Sequence, residues 1–236
     1  MANWCSTEIT FFATGENSSV IDKMFDDFSA IISSVKEKEK YEVVSMRDFA
    51  EHYFPNNADA IDARGMVNVY FEHPYCTEDG KYKYFSISTQ TAWSAKMGLW
   101  YKIATQFYPG VQIAYAAEEG GKDYFLVYDD SRGKRFYPYS FYVYGYLPYE
   151  DGDIKSLNEL YDPIQYFQGT LDDLQNCLDD ILPFKYEHQD TVEELDKELN
   201  TKLLDYTEAL GFDDDAYIFV SDFVEYPPSE FDLWDF

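Results

Sequence analysis

Hydrophobic spacing predicts most of the elements in this chain. Val20, Ile21, Met24, Phe25, Phe28, Ile31, Ile32 and Val35 recur at gaps of three and four. That is one face of an amphipathic helix, capped by Ser18 or Ser19 and closed by the basic run Lys36 to Lys40. Trp93 to Phe107 predicts another helix, stopped by Pro109–Gly110, and Met46 to Tyr53 a short one. Between them lie strand patterns at Thr7 to Phe12, Tyr41 to Val44, Met66 to Glu72, Lys81 to Thr89, Val111 to Glu118, Asp123 to Tyr128 and Arg135 to Tyr146. Glu78–Asp79–Gly80, Glu119 to Lys122 and Asp129 to Lys134 supply the turns. This order predicts an α+β domain, with amphipathic helices on one face of an antiparallel sheet.

A different pattern begins after Leu147 to Asp153, a loop signal. Leu157, Leu160, Ile164 and Phe167 predict a helix, and Leu171, Leu174, Leu178 and Ile181 a second, capped by Thr170. Val192, Leu195, Leu199, Leu203, Tyr206 and Leu210 predict a third, with Thr191 and Glu194 as a capping box and Gly211 as C-cap. Tyr217 to Val220 reads as a strand, and the end is aromatic at Phe231 and Trp234.

Charge sharpens this division. The 236 residues carry a formal net charge of −27. Residues 1–149 hold 20 acidic and 14 basic residues, whereas residues 150–236 hold 25 and 4. The expectation is therefore a mildly acidic domain over 1–149 and an acidic, mainly helical extension over 150–236. Helical periodicity distinguishes the extension from an acidic tail. Asp172, Asp173, Asp179 and Asp180 fall on one face, the two pairs about 10 Å apart along the axis. Glu193, Glu194, Glu198, Asp205 and Glu208 lie off the apolar seam of the third helix. Asp213, Asp214 and Asp215 form a further cluster. Together these twelve carboxylates are the candidate partner-binding surface.

Several short motifs resemble the YubB-type ferredoxin-like domain family, over residues 1 to about 146. They are Met1–Ala2–Asn3–Trp4–Cys5–Ser6 leading into strand and helix, Thr91–Ala92–Trp93–Ser94, Tyr108–Pro109–Gly110–Val111, Tyr115 and the Glu118–Glu119–Gly120 turn. The chain departs from the family at Thr7, where Asn is usual, and at Ala95 and Lys96, where prolines are usual. The resemblance implies a ferredoxin-like fold and a phage, plasmid or other mobile-element setting. It implies no reaction.

Composition excludes other classes. Hydrophobic residues make up 46% of the chain, too many for a disordered acidic polypeptide. The acidity disfavours direct binding to a phosphate backbone. The chain has no apolar run of membrane-spanning length and no signal-peptide pattern at its start. Three scattered cysteines, Cys5, Cys76 and Cys177, fit a reducing cytoplasm better than a disulfide framework.

No motif for catalysis, a metal or a cofactor stands out. His73, Cys76 and Cys5 lack zinc spacing, and Glu51–His52 reads as part of a short helix. Asp213 to Asp215 lacks the pattern of a calcium loop, and Gly120–Gly121 precedes a strand rather than a helix. The expectation is a non-enzymatic interaction protein. Its acidic helices would imitate nucleic acid and block a basic host or defence protein. The alternatives are an acidic structural protein and a nucleic-acid module. The latter would use the aromatic strand Phe136, Tyr137, Tyr139, Phe141, Tyr142, Tyr144 and Tyr146 with Lys81, Lys83, Lys134 and Arg135.

Overall fold

A computed structural model describes residues 4–38, 43–61, 63–69, 73–119, 124–148, 154–212 and 216–231. The fold is α+β, divided into two compact units. The first comprises residues 1–137 and 225–236, the second residues 138–224. The division expected at 149/150 therefore falls too late, and residues 225–231 belong with the first unit.

The first unit is built on β1 (Trp4–Thr14), which accepts β5 (Tyr82–Ala92) on one side and β6 (Gln112–Glu119) on the other, both antiparallel. Beyond β5 lie β3 (Gly65–Val69) and β2 (Val44–Ser45), with β4 (Tyr75–Cys76) on the same edge. Beyond β6 lie β7 (Tyr124–Tyr128) and β12 (Val224–Glu225). Alternate residues of a strand face opposite sides. Cys5, Ile9, Phe11 and Ala13 of β1 therefore share a core face with Phe85, Ile87, Ile113 and Tyr115. Helices α1 (Ser18–Lys38), α2 (Met46–Tyr53) and α3 (Met97–Phe107) supply the rest of that core. The predicted α1 stripe is the buried one: Ile21, Met24, Phe25, Phe28, Ile31 and Val35 all belong to it. Tyr53 donates to the Tyr108 hydroxyl at 2.6 Å, and Tyr108 donates to Asp27 at 2.7 Å, which ties the three helices together.

Two boundaries moved for local reasons. Helix α3 starts at Met97 rather than Trp93, because Trp93 sits at φ +73° in a turn that the Thr91 hydroxyl holds by donating to the Ser94 carbonyl at 2.6 Å. The strand expected over Arg135 to Tyr146 does not begin until Phe141, because Asp129 takes the Phe136 and Tyr137 amides away from any ladder. Residues 129–137 form a loop of the first unit instead. It lays Phe136 over Phe12 and Tyr84, at ring distances of 4.8 and 5.2 Å, and joins the Tyr137 and Thr10 hydroxyls at 3.0 Å.

The second unit has its own sheet. Strand β8 (Phe141–Pro148) lies between β10 (Tyr166–Phe167) and β11 (Tyr217–Asp222), and β9 (Ile154–Ser156) also pairs with β8. The expected acidic helical extension is therefore only part of this unit: its helices cover one face of a sheet whose central strand, β8, precedes residue 150. The helix expected over Leu157 to Phe167 is broken. Only α4 (Leu157–Leu160) forms, and a 3₁₀ turn at Asp162–Ile164 follows. Pro163 accounts for the break, since it has no N–H to donate to the Glu159 carbonyl and so cannot continue the helix, and Tyr161 turns extended instead. Helices α5 (Leu171–Ile181) and α6 (Val192–Leu210) match the two remaining stripes. Leu174, Leu178, Leu195, Leu199 and Leu203 pack with Phe141, Val143, Leu147, Ile218 and Val220 of the sheet.

Helix α6 also closes the outer edge of β11. Asn200 accepts the Ile218 N–H at 3.2 Å and donates to the Ile218 carbonyl at 2.6 Å, and Asp196 accepts the Val220 N–H at 2.8 Å. Side chains thus stand in for a missing neighbour strand, which protects an edge from pairing with another chain. Asn200→Leu strips both partners from Ile218. It should destabilise the unit by about 2–3 kcal/mol in urea unfolding, with faster amide exchange at Ile218.

Candidate functional site

Nine of the twelve candidate carboxylates lie in the described residues; Asp213, Asp214 and Asp215 lie outside them. All nine sit on α5 or α6, on the side away from the leucine seam. Four are committed to the fold. Asp173 completes a capping box with Thr170, accepting its N–H at 2.9 Å and its hydroxyl at 2.7 Å. Glu194 takes the Thr191 hydroxyl at 2.9 Å, a looser cap than the expected reciprocal box. Asp179 faces His188 at 3.0 Å, and Glu198 accepts the Glu187 N–H at 3.3 Å.

The other five are Asp172, Asp180, Glu193, Asp205 and Glu208, all exposed. Asp172 and Glu193 stand in the first turns of their helices, where the helix dipole favours a negative charge. Asp180 and Glu208 stand in the last turns, where the same dipole disfavours one by about 0.3–1 kcal/mol each. Neither last turn holds a basic residue. The second unit as a whole carries 21 acidic residues and 4 basic ones, all lysines.

The opposite face of its sheet is aromatic. Phe141, Val143 and Leu147 of β8 point into the core, so Tyr142, Tyr144 and Tyr146 point the other way. Strand register sets Tyr166 beside Tyr142, Phe219 beside Tyr144 and Tyr217 beside Tyr146. Sequence reasoning saw this aromatic run but assigned it to the first domain and included Phe136 and Tyr137. The strict alternation from Phe141 was the signal that separates them.

The basic residues of the nucleic-acid alternative lie in the first unit, and all four are in ion pairs. Lys81 and Arg135 meet Asp79 at 3.1 and 2.9 Å, Lys83 meets Asp22 at 2.6 Å, and Lys134 meets Glu225 at 3.1 Å. The aromatic run and the proposed cations thus belong to different units, and each cation already has a carboxylate partner, Lys81 and Arg135 sharing Asp79.

The remaining candidates have local roles. Arg47 bonds Glu51 at 2.8 Å and also pairs with Asp59. It lines a cleft of about 370 Å³ with Ala58, Ile61 and Arg64. The His73 ring lies tilted against Tyr75 at 4.7 Å. Cys5 is buried, which pushes its thiol up to about 11. Gly120 and Gly121 lie outside the described residues. Among the described residues, no group of three or more His, Cys, Asp or Glu side chains is placed to hold a metal ion, and no helix is long and apolar enough to cross a membrane.

Among the perturbed carboxylates outside the expected set is Glu8. Loss of water over the sheet, with a contribution from neighbouring Glu118, pushes Glu8 up to about 7. The folded chain therefore holds a proton on Glu8 that the unfolded chain has lost between about pH 4.5 and 7. Stability falls as pH rises through that window. Glu8 keeps an exposed side chain, so solvent screens most of this effect, and Glu8→Gln should melt only roughly 2 °C higher than the parent at pH 8 and at the same temperature at pH 4, by calorimetry.

No family model matches the chain, and neither does any curated protein or solved structure.

Proposed function

We propose that this chain is a non-enzymatic interaction protein whose second unit docks on a basic protein surface through the solvent faces of α5 and α6. The observation that carries this reading is the position of Asp180 and Glu208. Each is exposed, stands at the end of a helix where a carboxylate costs stability, and belongs to a unit of net charge −17. A fold carries such a cost more easily where the field has an external use. An ordered carboxylate array on two helices is complementary to a groove that binds phosphates, so the target class is a nucleic-acid-binding host or defence protein. The acidic field also accelerates encounter with such a partner.

The finer fold assignment supports the same setting. Strand order β6-β1-β5-β3, antiparallel throughout, with α1 between β1 and β3 and α3 between β5 and β6, supports reading the first unit as a ferredoxin-like domain. With the motif resemblance, it points to a cytoplasmic protein of a phage or other mobile element.

The test is capture from bacterial lysate with the full chain and with the double variant Asp180→Lys, Glu208→Lys. The variant should be more stable than the parent by about 0.5–2 kcal/mol, so a binding loss cannot be blamed on misfolding. The parent should retain basic nucleic-acid-binding proteins and the variant should release them. Retention by both, or capture of no such protein by the parent, overturns the proposal.

A further inference from the structure

Tyr144, Tyr146 and Tyr217 form a mutually joined trio on the aromatic face. Their ring centroids lie 5.4, 5.8 and 6.0 Å apart in pairs. Tyr144 donates its hydroxyl to that of Tyr146 at 2.7 Å. Backbone pairing of β8 with β11 fixes all three, and Tyr217 is 42% exposed. A rigid ring cluster loses little side-chain entropy when something stacks on it.

Three kinds of occupant stack on tyrosine: bases, apolar side chains and cations. Base-stacking surfaces combine their rings with a basic groove that tracks phosphates. This unit has four lysines, no arginine and a net charge of −17. The ring quadrupole and the field of the unit therefore select for the same sign of charge. A guanidinium fits better than an ammonium, because it is planar, more weakly hydrated and stacks on aromatic faces.

We infer that the Tyr144–Tyr146–Tyr217 face takes arginine side chains from an extended basic segment of the partner. The inference rests on the proposed docking to a basic protein. It adds a second contact surface, on the side of the sheet opposite α5 and α6, and a preference among basic residues.

Fluorescence titration of the full chain with deca-arginine, deca-lysine and a single-stranded ten-nucleotide DNA tests it. Deca-arginine should bind about three- to tenfold more tightly than deca-lysine. Tyr217→Leu should remove that preference, and Tyr217→Phe, which keeps the ring, should preserve it. Asp180→Lys with Glu208→Lys should weaken both peptides alike and leave the preference intact. Equal affinity for the two peptides, or a preference that survives Tyr217→Leu, overturns the inference while sparing the docking proposal. Failure of both peptides to bind overturns the docking proposal as well. DNA binding as strong as that of deca-arginine overturns the inference and assigns the face to bases.

Discussion

Gly145→Ala should destabilise the second unit by about 3 kcal/mol or more. Gly145 lies opposite Ile218 in the β8–β11 register. A Cβ there would collide with the Tyr217 carbonyl oxygen and stand 3.0 Å from the Ile218 Cα and 3.2 Å from a Leu157 methyl. Two of these obstacles are backbone, so relief requires β11 to move off β8. That movement breaks the ladder and the Asn200 and Asp196 contacts to the same strand. Urea unfolding with amide exchange at residues 218–220 reads the effect for this unit alone. Gly15→Ala is the control, because nothing lies within 4 Å of its would-be Cβ, and it should stay within about 0.5 kcal/mol of the parent. A Gly145→Ala variant as stable as that control would mean the two strands are not packed this closely.

The second large effect is expected at Asp129, in the first unit. Its carboxylate is 4% exposed and accepts three backbone N–H groups, from Ser131 at 2.9 Å, Phe136 at 2.6 Å and Tyr137 at 2.9 Å. Hydrogen bonds to a charged acceptor contribute about 1.5–3 kcal/mol each, though the losses do not add in full. Asp129→Ala should therefore cost about 3–5 kcal/mol. It should also abolish exchange protection at the Phe136 and Tyr137 amides and free the Phe136 ring from Phe12. Asp129→Asn keeps one acceptor oxygen and should fall between the two. An alanine variant with normal protection at both amides would show that the loop is held by its rings alone.

Asp129 also shows where sequence reasoning stops. Leucine and phenylalanine spacing located α1, α5 and α6, because one-sided burial imposes the period of the helix. It could not locate the unit boundary. That boundary depends on Asp129 binding amides seven and eight residues later, and on β12 returning beside β7 from the far end of the chain. Neither leaves a periodic trace. The stripe through Leu157, Leu160, Ile164 and Phe167 was real as burial and misleading as structure. Leu157 and Ile164 are fully buried, yet Pro163 divides the segment into a short helix, a turn and a strand.

The acidic faces were legible because charge avoids a buried seam. Which carboxylates serve the fold was only partly legible. Thr170 and Asp173 fit a capping pattern, but the contacts of Asp179 with His188 and of Glu198 with the Glu187 amide join residues nine and eleven apart. The tyrosine face was hidden by a strand start placed too early, which merged Phe136 and Tyr137 with a row that faces elsewhere.

The most direct test of the central claim is competition on a captured basic partner. Increasing duplex DNA should displace the full chain from that partner along a single-site competitive curve, and the Asp180→Lys, Glu208→Lys variant should need far less DNA. Simultaneous binding of DNA and chain to the partner would contradict the claim that the α5 and α6 carboxylates occupy a phosphate-binding surface.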